Sequence, residues 1–336
     1  MEFRLDSAQV ELQQTVARFC ADRFPLDAVG AREGVTTDRD AWSAMADLGM
    51  FGLLLADSMG GSGLGPVEGA LLFEQLGSHL VPGPVLWTTL AAPLVDGAAS
   101  GERLVGGVEA REVEHGAVAV EHAADLDVLL VVGDDTVVAH DTTHLAAPVA
   151  LDPLDPLTPV GRFTDVPTAD PTADPAAGRA VGGADAAAEL RLLGTVLSAA
   201  QLAGTASRAL DVARAYALER EQFGVPIGSF QAIKHILADM YLRSSLAQSA
   251  TYAAAAVAQD PDGDDPGRAA ASAKLLAADA AIANAGAAVQ VLGGMGFTWD
   301  MLPNYLLKRA WVLEAGFGAG DEHALRLGDQ VLAAAR

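Results

Sequence analysis

The sequence holds a single cysteine, Cys20, among 336 residues. One thiol can form neither an intrachain disulfide nor a thiolate metal cluster, which fits a reducing compartment. Cys20 lies in the apolar-periodic stretch Val16-Ala17-Arg18-Phe19-Cys20 and reads as a buried structural thiol. Aromatic residues are 5% of the chain although apolar residues are 51%, so the core must be built from Ala, Leu and Val. Such a composition favours closely packed helices and excludes wholesale disorder. Basic residues are scarce, 21 against 44 acidic, giving a formal charge of −23 and a pI near 4.4. So acidic a surface repels nucleic acid and anionic membranes, and neither is expected as a partner. It also repels phosphorylated ligands at long range, so each arginine matters. No uncharged run is read as a membrane span, and Met1-Glu2-Phe3-Arg4 opens no apolar signal core. The expectation is a soluble cytoplasmic protein. The seven histidines have no metal-ligand spacing, and no metal is expected.

What is present divides the chain into three zones: 1–104, 105–185 and 186–336. The first reads as helices. Ser7 is placed to cap a pattern through Val10, Leu12, Val16 and Phe19. A second helix is expected from Asp38 to Gly49 and a third from Val67 to Leu76, stopping at Gly77. The Met59–Pro66 segment is a turn cluster. In the second zone, Leu126–Val132, Gly133-Asp134-Asp135 and Thr136–His140 spell a β-hairpin. The later Asp-Pro-rich segment excludes long helices. The third zone is Ala-rich, with long helices over Glu189–Glu219, Phe230–Gln259 and Ala269–Leu292. Shorter ones follow over Pro303–Leu313 and Asp321–Ala335. Successive amphipathic helices with short turns make a bundle, without strands of four or more residues.

Two stretches carry chemistry. In Glu219–Gln231 a helix ends at Arg220, turns through Phe223-Gly224-Val225-Pro226 and restarts at Phe230. An arginine at a helix end can fork onto a pyrophosphate. An ordinary helix–helix connection with a solvated Arg220 fits as well. In Gln290–Thr298, Gly293, Gly294 and Gly296 permit close backbone approach to a ligand. The cluster follows a helix rather than a strand, so it is not the nucleotide-fold glycine pattern, and a helix C-cap with a loop is the plain alternative.

Together these stretches resemble the C-terminal domain of the acyl-CoA dehydrogenase family. Arg220 through Met240 meets that family's Arg-x-x-Phe-Gly…Phe-Gln…Leu-Ala-Asp-Met pattern, and Gln290 through Phe297 its Gln-x-x-Gly-Gly-x-Gly-Phe. Trp42–Gly49, the Gly60–Gly63 loop and Glu74-Gln75-Leu76-Gly77 are similar to its N-terminal domain. The resemblance implies a mostly α fold: a helical N-terminal domain, a small β-barrel-like domain and a C-terminal four-helix bundle. It implies FAD held between subunits. Carried over residue by residue, cofactor contacts fall on Arg220, Gln222, Phe223, Gln290, Gly293 and Gly294, reaching FAD of a neighbouring chain. It implies an acyl-CoA substrate.

The chain also departs from the family. The position of the glutamate that removes the substrate α-proton falls on Phe317, and the alternative position, on the first long bundle helix, falls on Gly194. Glu189 is more than a turn from it. Residues 105–182 contain no Trp and no Thr-Glu-Pro, the elements that hold the flavin ring. No catalytic residue is therefore assigned. The chain resembles the base-less subunit of actinobacterial heterotetrameric acyl-CoA dehydrogenases of the steroid side-chain type, which implies a homologous catalytic partner. A homo-oligomer, a non-catalytic assembly subunit, or an enzyme of the same fold with non-redox chemistry on a CoA thioester stay open. Glu314 reads as solvated or paired with Arg309, Asp321, Glu322 and His323 as a helix start, and His235 as structural.

Overall fold

The computed structural model describes residues 5–35, 37–167, 178–260, 263–299 and 301–334. Helix α1 (Ser7–Arg23) is capped by Asp6, not by Ser7. The Asp6 carboxylate accepts from the Gln9 N–H at 2.8 Å, and the Gln9 amide oxygen accepts from the Asp6 N–H at 3.1 Å. This reciprocal box needs a glutamine three residues on, and only Asp6 has one. Helix α2 (Arg39–Asp47) starts at the Asp38 cap and ends before Gly49, which takes φ 73°. Helix α3 (Pro66–Ser78) runs through Gly77 instead of stopping there. Helix α4 (Val85–Ala91) follows.

The middle of the chain forms two sheets, and these do not close into a barrel. Strands β1 (Val105–Glu109), β2 (Val118–Glu121), β3 (Val128–Val132), β4 (Thr136–Asp141), β5 (Val149–Leu151), β6 (Val160–Phe163) and β7 (Arg179–Gly183) divide between them. One sheet has the order β1-β3-β4-β7 and the other β2-β6-β5. Strand β1 runs parallel to β3, and the expected β3–β4 hairpin is present with Val132 opposite Val137. The apolar faces of both sheets share one core, including Val108, Val118, Val120, Leu129 and Phe163. Gly107 is required there, because a Cβ would stand 2.3 Å from the Trp87 ring.

The rest is helical: α5 (Ala184–Glu219), α6 (Gln231–Gln259), α7 (Pro266–Leu292), α8 (Leu302–Ala315) and α9 (Gly320–Ala334). Between α5 and α6 lie two-residue strands, β8 (Glu221–Gln222) and β9 (Val225–Pro226), so the bundle is not wholly strand-free, though no longer strand occurs there among the described residues. The chain folds as two compact units. The first comprises residues up to Arg32, Pro66–Val81 and Thr195 onwards. The second comprises Glu33–Gly65 and Pro82–Gly194 and contains both sheets.

Within the first unit α7 is the central rod, packed on α6, α8 and α9. Its inward face is almost all alanine, with Ala271, Ala277, Ala281, Ala285 and Ala288 buried. Small side chains let neighbouring backbones approach, and two buried polar residues take advantage of that. The Asn284 amide donates to Met240 O and Ser244 Oγ, both at 2.9 Å, and to Ala206 O at 3.3 Å. The fully buried Lys274 ammonium donates to Ser198 Oγ, Leu313 O and Gly316 O at 3.1, 2.7 and 2.6 Å. By length and composition Pro266–Phe297 could cross a membrane, although Arg268, Lys274 and Asp279 interrupt it and it is no uncharged run. Half of its most apolar window is buried inside the protein, and with Lys274 and Asn284 it has the pattern of a core helix.

A second buried polar cluster joins α1, α3 and α6. The Glu74 carboxylate accepts from the Tyr252 hydroxyl, from Gln248 Nε2 at 2.6 Å and from Gln13 Nε2 at 3.5 Å. Burial pushes the Glu74 carboxyl above the ordinary range, and the three donors oppose that.

Burial holds the His140 imidazole on β4 below its usual pKa, and neither ring nitrogen has a hydrogen-bond partner. A pKa lowered by folding means that the unfolded chain binds the extra proton first. The stability is present above the unfolded value near 6.5 and is lost as the pH falls below it. Burial also lowers His79 and His323. We expect unfolding free energy to drop between pH 7 and 5, each histidine adding at most about 1.4 kcal/mol per pH unit. His140→Leu should make that decline shallower in urea titrations. An unchanged slope would show that His140 gains its proton freely in the fold.

Candidate functional site

The Arg220 backbone N–H donates to Tyr216 O at 2.8 Å and closes the last turn of α5. The chain then reverses through β8 and β9, and Ile227 N–H donates back to Arg220 O at 2.8 Å. Phe223 and Gly224 form the tip, with φ 54° and 79°. Left-handed backbone is ordinary for Gly224 and strained for a phenylalanine. Phe223 is 94% exposed, its ring set edge-on to that of Phe230 with centroids 6.2 Å apart. A strained backbone thus holds a large apolar ring in solvent. The Arg220 side chain beside it is exposed and makes no ion pair or hydrogen bond among the described residues. Gln222 Nε2 folds back onto Glu221 O at 2.8 Å.

In the second stretch α7 ends at Leu292, and Gly293 leaves it with φ 63° and ψ −139°. Residues Gly293–Phe297 form a 3-10 turn. Gly296 is locked, since a Cβ would stand 2.5 Å from Val289 O, and Asn304 Nδ2 donates to its carbonyl at 2.9 Å. Gly293 and Gly294 are the opposite case: nothing lies within 4 Å of where a Cβ would stand. Gln290, Met295, Phe297 and Trp299 are exposed, and Lys308 Nζ sits 3.1 Å above the Trp299 ring. The Tyr216 hydroxyl reaches Met295 Sδ at 3.9 Å, so the structure joins the two stretches one turn short of Arg220. No bond among the described residues links Arg220 itself to Gln290, Gly293 or Gly294.

These surfaces fit one half of a dinucleotide. An unpaired guanidinium suits a pyrophosphate, an exposed phenyl suits an adenine face, and open glycines admit a bulky group to the backbone.

The region where a catalytic base would stand is built differently. Phe317 has φ 57° and its carbonyl accepts from His323 Nε2 at 3.0 Å. Lys274 holds the preceding Gly316 carbonyl. The Glu314 carboxylate neither floats in solvent nor pairs with Arg309. It accepts from the Gly320 N–H at 2.7 Å and caps α9, while the buried Arg309 donates to Val81 O at 3.1 Å. Asp321 and Glu322 are exposed in the first turn of α9, with His323 buried behind them. Gly194 is buried in α5, and Glu189 and His235 are exposed. Sequence reasoning missed Lys274, because one lysine in an alanine helix carries no sign that its end is held by three oxygens.

Known proteins resemble this chain in sequence and in fold. Residues 182–332 match the family model described as acyl-CoA dehydrogenase, C-terminal domain, and residues 6–102 match its N-terminal domain. The chain is 37% identical over 318 residues to the acyl-CoA dehydrogenase FadE34 of Mycobacterium tuberculosis, covering 88% of this chain but only 43% of that protein, less than half its length. It is 32% identical over 326 residues to the acyl-CoA dehydrogenase IpdE2 of Mycolicibacterium smegmatis, covering 95% of this chain and 97% of that one. Among solved structures, a chain of the ChsE4–ChsE5 complex from Mycobacterium tuberculosis superposes with a TM-score of 0.83 at 25% identity, over 99% of each chain.

Proposed function

The chain belongs to the acyl-CoA dehydrogenase family, a family of oxidoreductases, and from that premise we propose that it is a flavoprotein subunit supporting FAD-dependent α,β-dehydrogenation of an acyl-CoA thioester beside a homologous catalytic chain. One observation carries the proposal: an unpaired Arg220 next to a strained, 94% exposed Phe223. Both are costly or idle in this chain by itself, and both have a use against the adenosine half of FAD.

FAD would supply the hydride acceptor. Arg220 would fork onto the pyrophosphate and Phe223 would lie against the adenine. Gln222 and Gln290 would offer amide hydrogen bonds, while Gly293 and Gly294 let the ligand reach the backbone. Abstraction of the α-proton falls to the partner, because Phe317 has no group to accept it and Glu314 is engaged as a cap. A dinucleotide bridging two related subunits divides one site between them, so a half-site here is complete in a heterodimer. The similar structure is that of a ChsE4–ChsE5 complex, which supports a partner of this kind. A cytoplasmic location goes with the proposal.

The test is flavin absorbance of the chain purified alone and after co-expression with a homologous chain that bears the glutamate. We expect little flavin alone and one FAD per heterodimer together. Stoichiometric, tightly held FAD in a homodimer would overturn the half-site, and no flavin in either preparation would favour a scaffold.

A further inference from the structure

A second site lies within the sheet-bearing unit, and it does not rest on the function proposed above. A cavity of about 210 Å³ opens beside the end of β4. One side is apolar, formed by Val95, Val128 and Leu145, of which Val95 and Val128 are buried almost completely. The lining also includes Arg103, Arg179, the buried His140 and the exposed His144.

The charges in this cavity do not cancel. Arg103 Nη2 donates to Asp141 Oδ2 at 2.5 Å. That carboxylate is otherwise committed to the Thr143 hydroxyl and N–H, at 2.5 and 3.1 Å, through Oδ1. The Thr143 hydroxyl first, and Arg103 further, hold the Asp141 carboxyl below the usual range, so it stays ionised. Nε and Nη1 of Arg103, and the whole Arg179 guanidinium, have no partner among the described residues. Two arginines thus line a space with one carboxylate, Asp141, both of whose oxygens already accept hydrogen bonds. In a chain of formal charge −23 such a local cationic excess is unusual, and it is set against a hydrocarbon wall.

We propose that this cavity binds a small organic carboxylate, its apolar body against Val95, Val128 and Leu145 and its two oxygens on Arg103 and Arg179. A planar guanidinium fork matches the two coplanar oxygens of a carboxylate, which the ammonium of a lysine does not. An apolar wall opposite the fork favours an alkyl or aryl carboxylate over a bare inorganic ion. The volume admits a ligand of a few carbons and excludes a long acyl chain.

The experiment is calorimetric titration of the purified chain with acetate, propionate, butyrate and benzoate at constant ionic strength. Affinity should rise about fourfold per added CH₂ from acetate to butyrate, the ratio expected when each methylene is buried. Arg179→Gln, an exposed side chain whose loss spares the fold, should weaken butyrate about tenfold or more. Arg103→Gln should do the same, and its melting temperature reports any damage from losing the Asp141 bridge. A flat acetate-to-butyrate series, or butyrate binding indifferent to Arg179→Gln, overturns the proposal. So does inorganic phosphate competing as well as butyrate, which would reduce the cavity to a patch of positive charge.

Discussion

Replacing Arg220 with alanine is expected to weaken FAD binding by about 10- to 150-fold in the complex with a base-bearing partner. The magnitude follows from one charge-assisted hydrogen-bonding group, roughly 1.5–3 kcal/mol. The guanidinium is exposed and makes no bond among the described residues, so its removal should leave the fold and the melting temperature unchanged. This separates a ligand contact from a structural one. Arg220→Lys should recover part of the affinity, since a point charge attracts the pyrophosphate without the fork. Fluorescence titration of FAD at fixed salt reads both variants. Equal dissociation constants for wild type and Arg220→Ala would leave Arg220 a solvated helix-end residue and remove the main support for the half-site.

The largest stability effect is expected from a glycine far from any ligand. A Cβ on Gly204 of α5 would stand 1.9 Å from Glu74 O, and one on Gly77 of α3 would stand 2.0 Å from Gln201 O. The two helices therefore touch backbone to backbone, and the obstacles are carbonyls that cannot swing aside. Gly204→Ala must drive the helices apart, at a cost of about 3 kcal/mol or more. Alanine's better helix propensity returns only about 1 kcal/mol of that. Gly286 on α7 is the control, exposed and with nothing within 4 Å of a Cβ. Gly286→Ala should stabilise by up to about 1 kcal/mol. Urea midpoints should move in opposite directions for the two variants. A shared direction would mean that α3 and α5 are not in backbone contact.

That contact shows where the sequence is legible and where it is not. Gly77 reads locally as a helix stop, yet the helix continues through it, because the glycine answers to Gln201 on another helix. Patterns whose cause lies within a few residues are readable: the Gly133-Asp134-Asp135 hairpin, the helix start at Asp38, and the Phe223-Gly224 turn. Glu314, Lys274 and Glu74 are not, since each is explained by a partner distant in sequence or by a helix start that only the fold positions. For the candidate site, local motif spacing is enough to single out both stretches. Their meeting through Tyr216 and Met295 depends on how α5 and α7 lie together, and no periodicity encodes it.

The helical unit is assembled from three separated stretches of chain, and this sets an order on its birth. Helix α3 is complete at Ser78, but the segment of its unit that supplies its other helical neighbours begins at Thr195, within α5. At roughly 5–20 residues per second of synthesis, the interval is on the order of ten seconds. For that time Leu71, Leu72, Phe73 and Leu76, all buried in the finished protein, have only α1 from their own unit to shelter them. The sheet-bearing unit, by contrast, is translated in full before Thr195 appears. A ribosome that stalls after Gly194 therefore leaves a chain that spans the sheet-bearing unit but lacks the α6 that packs on α3, a species for chaperones or proteases.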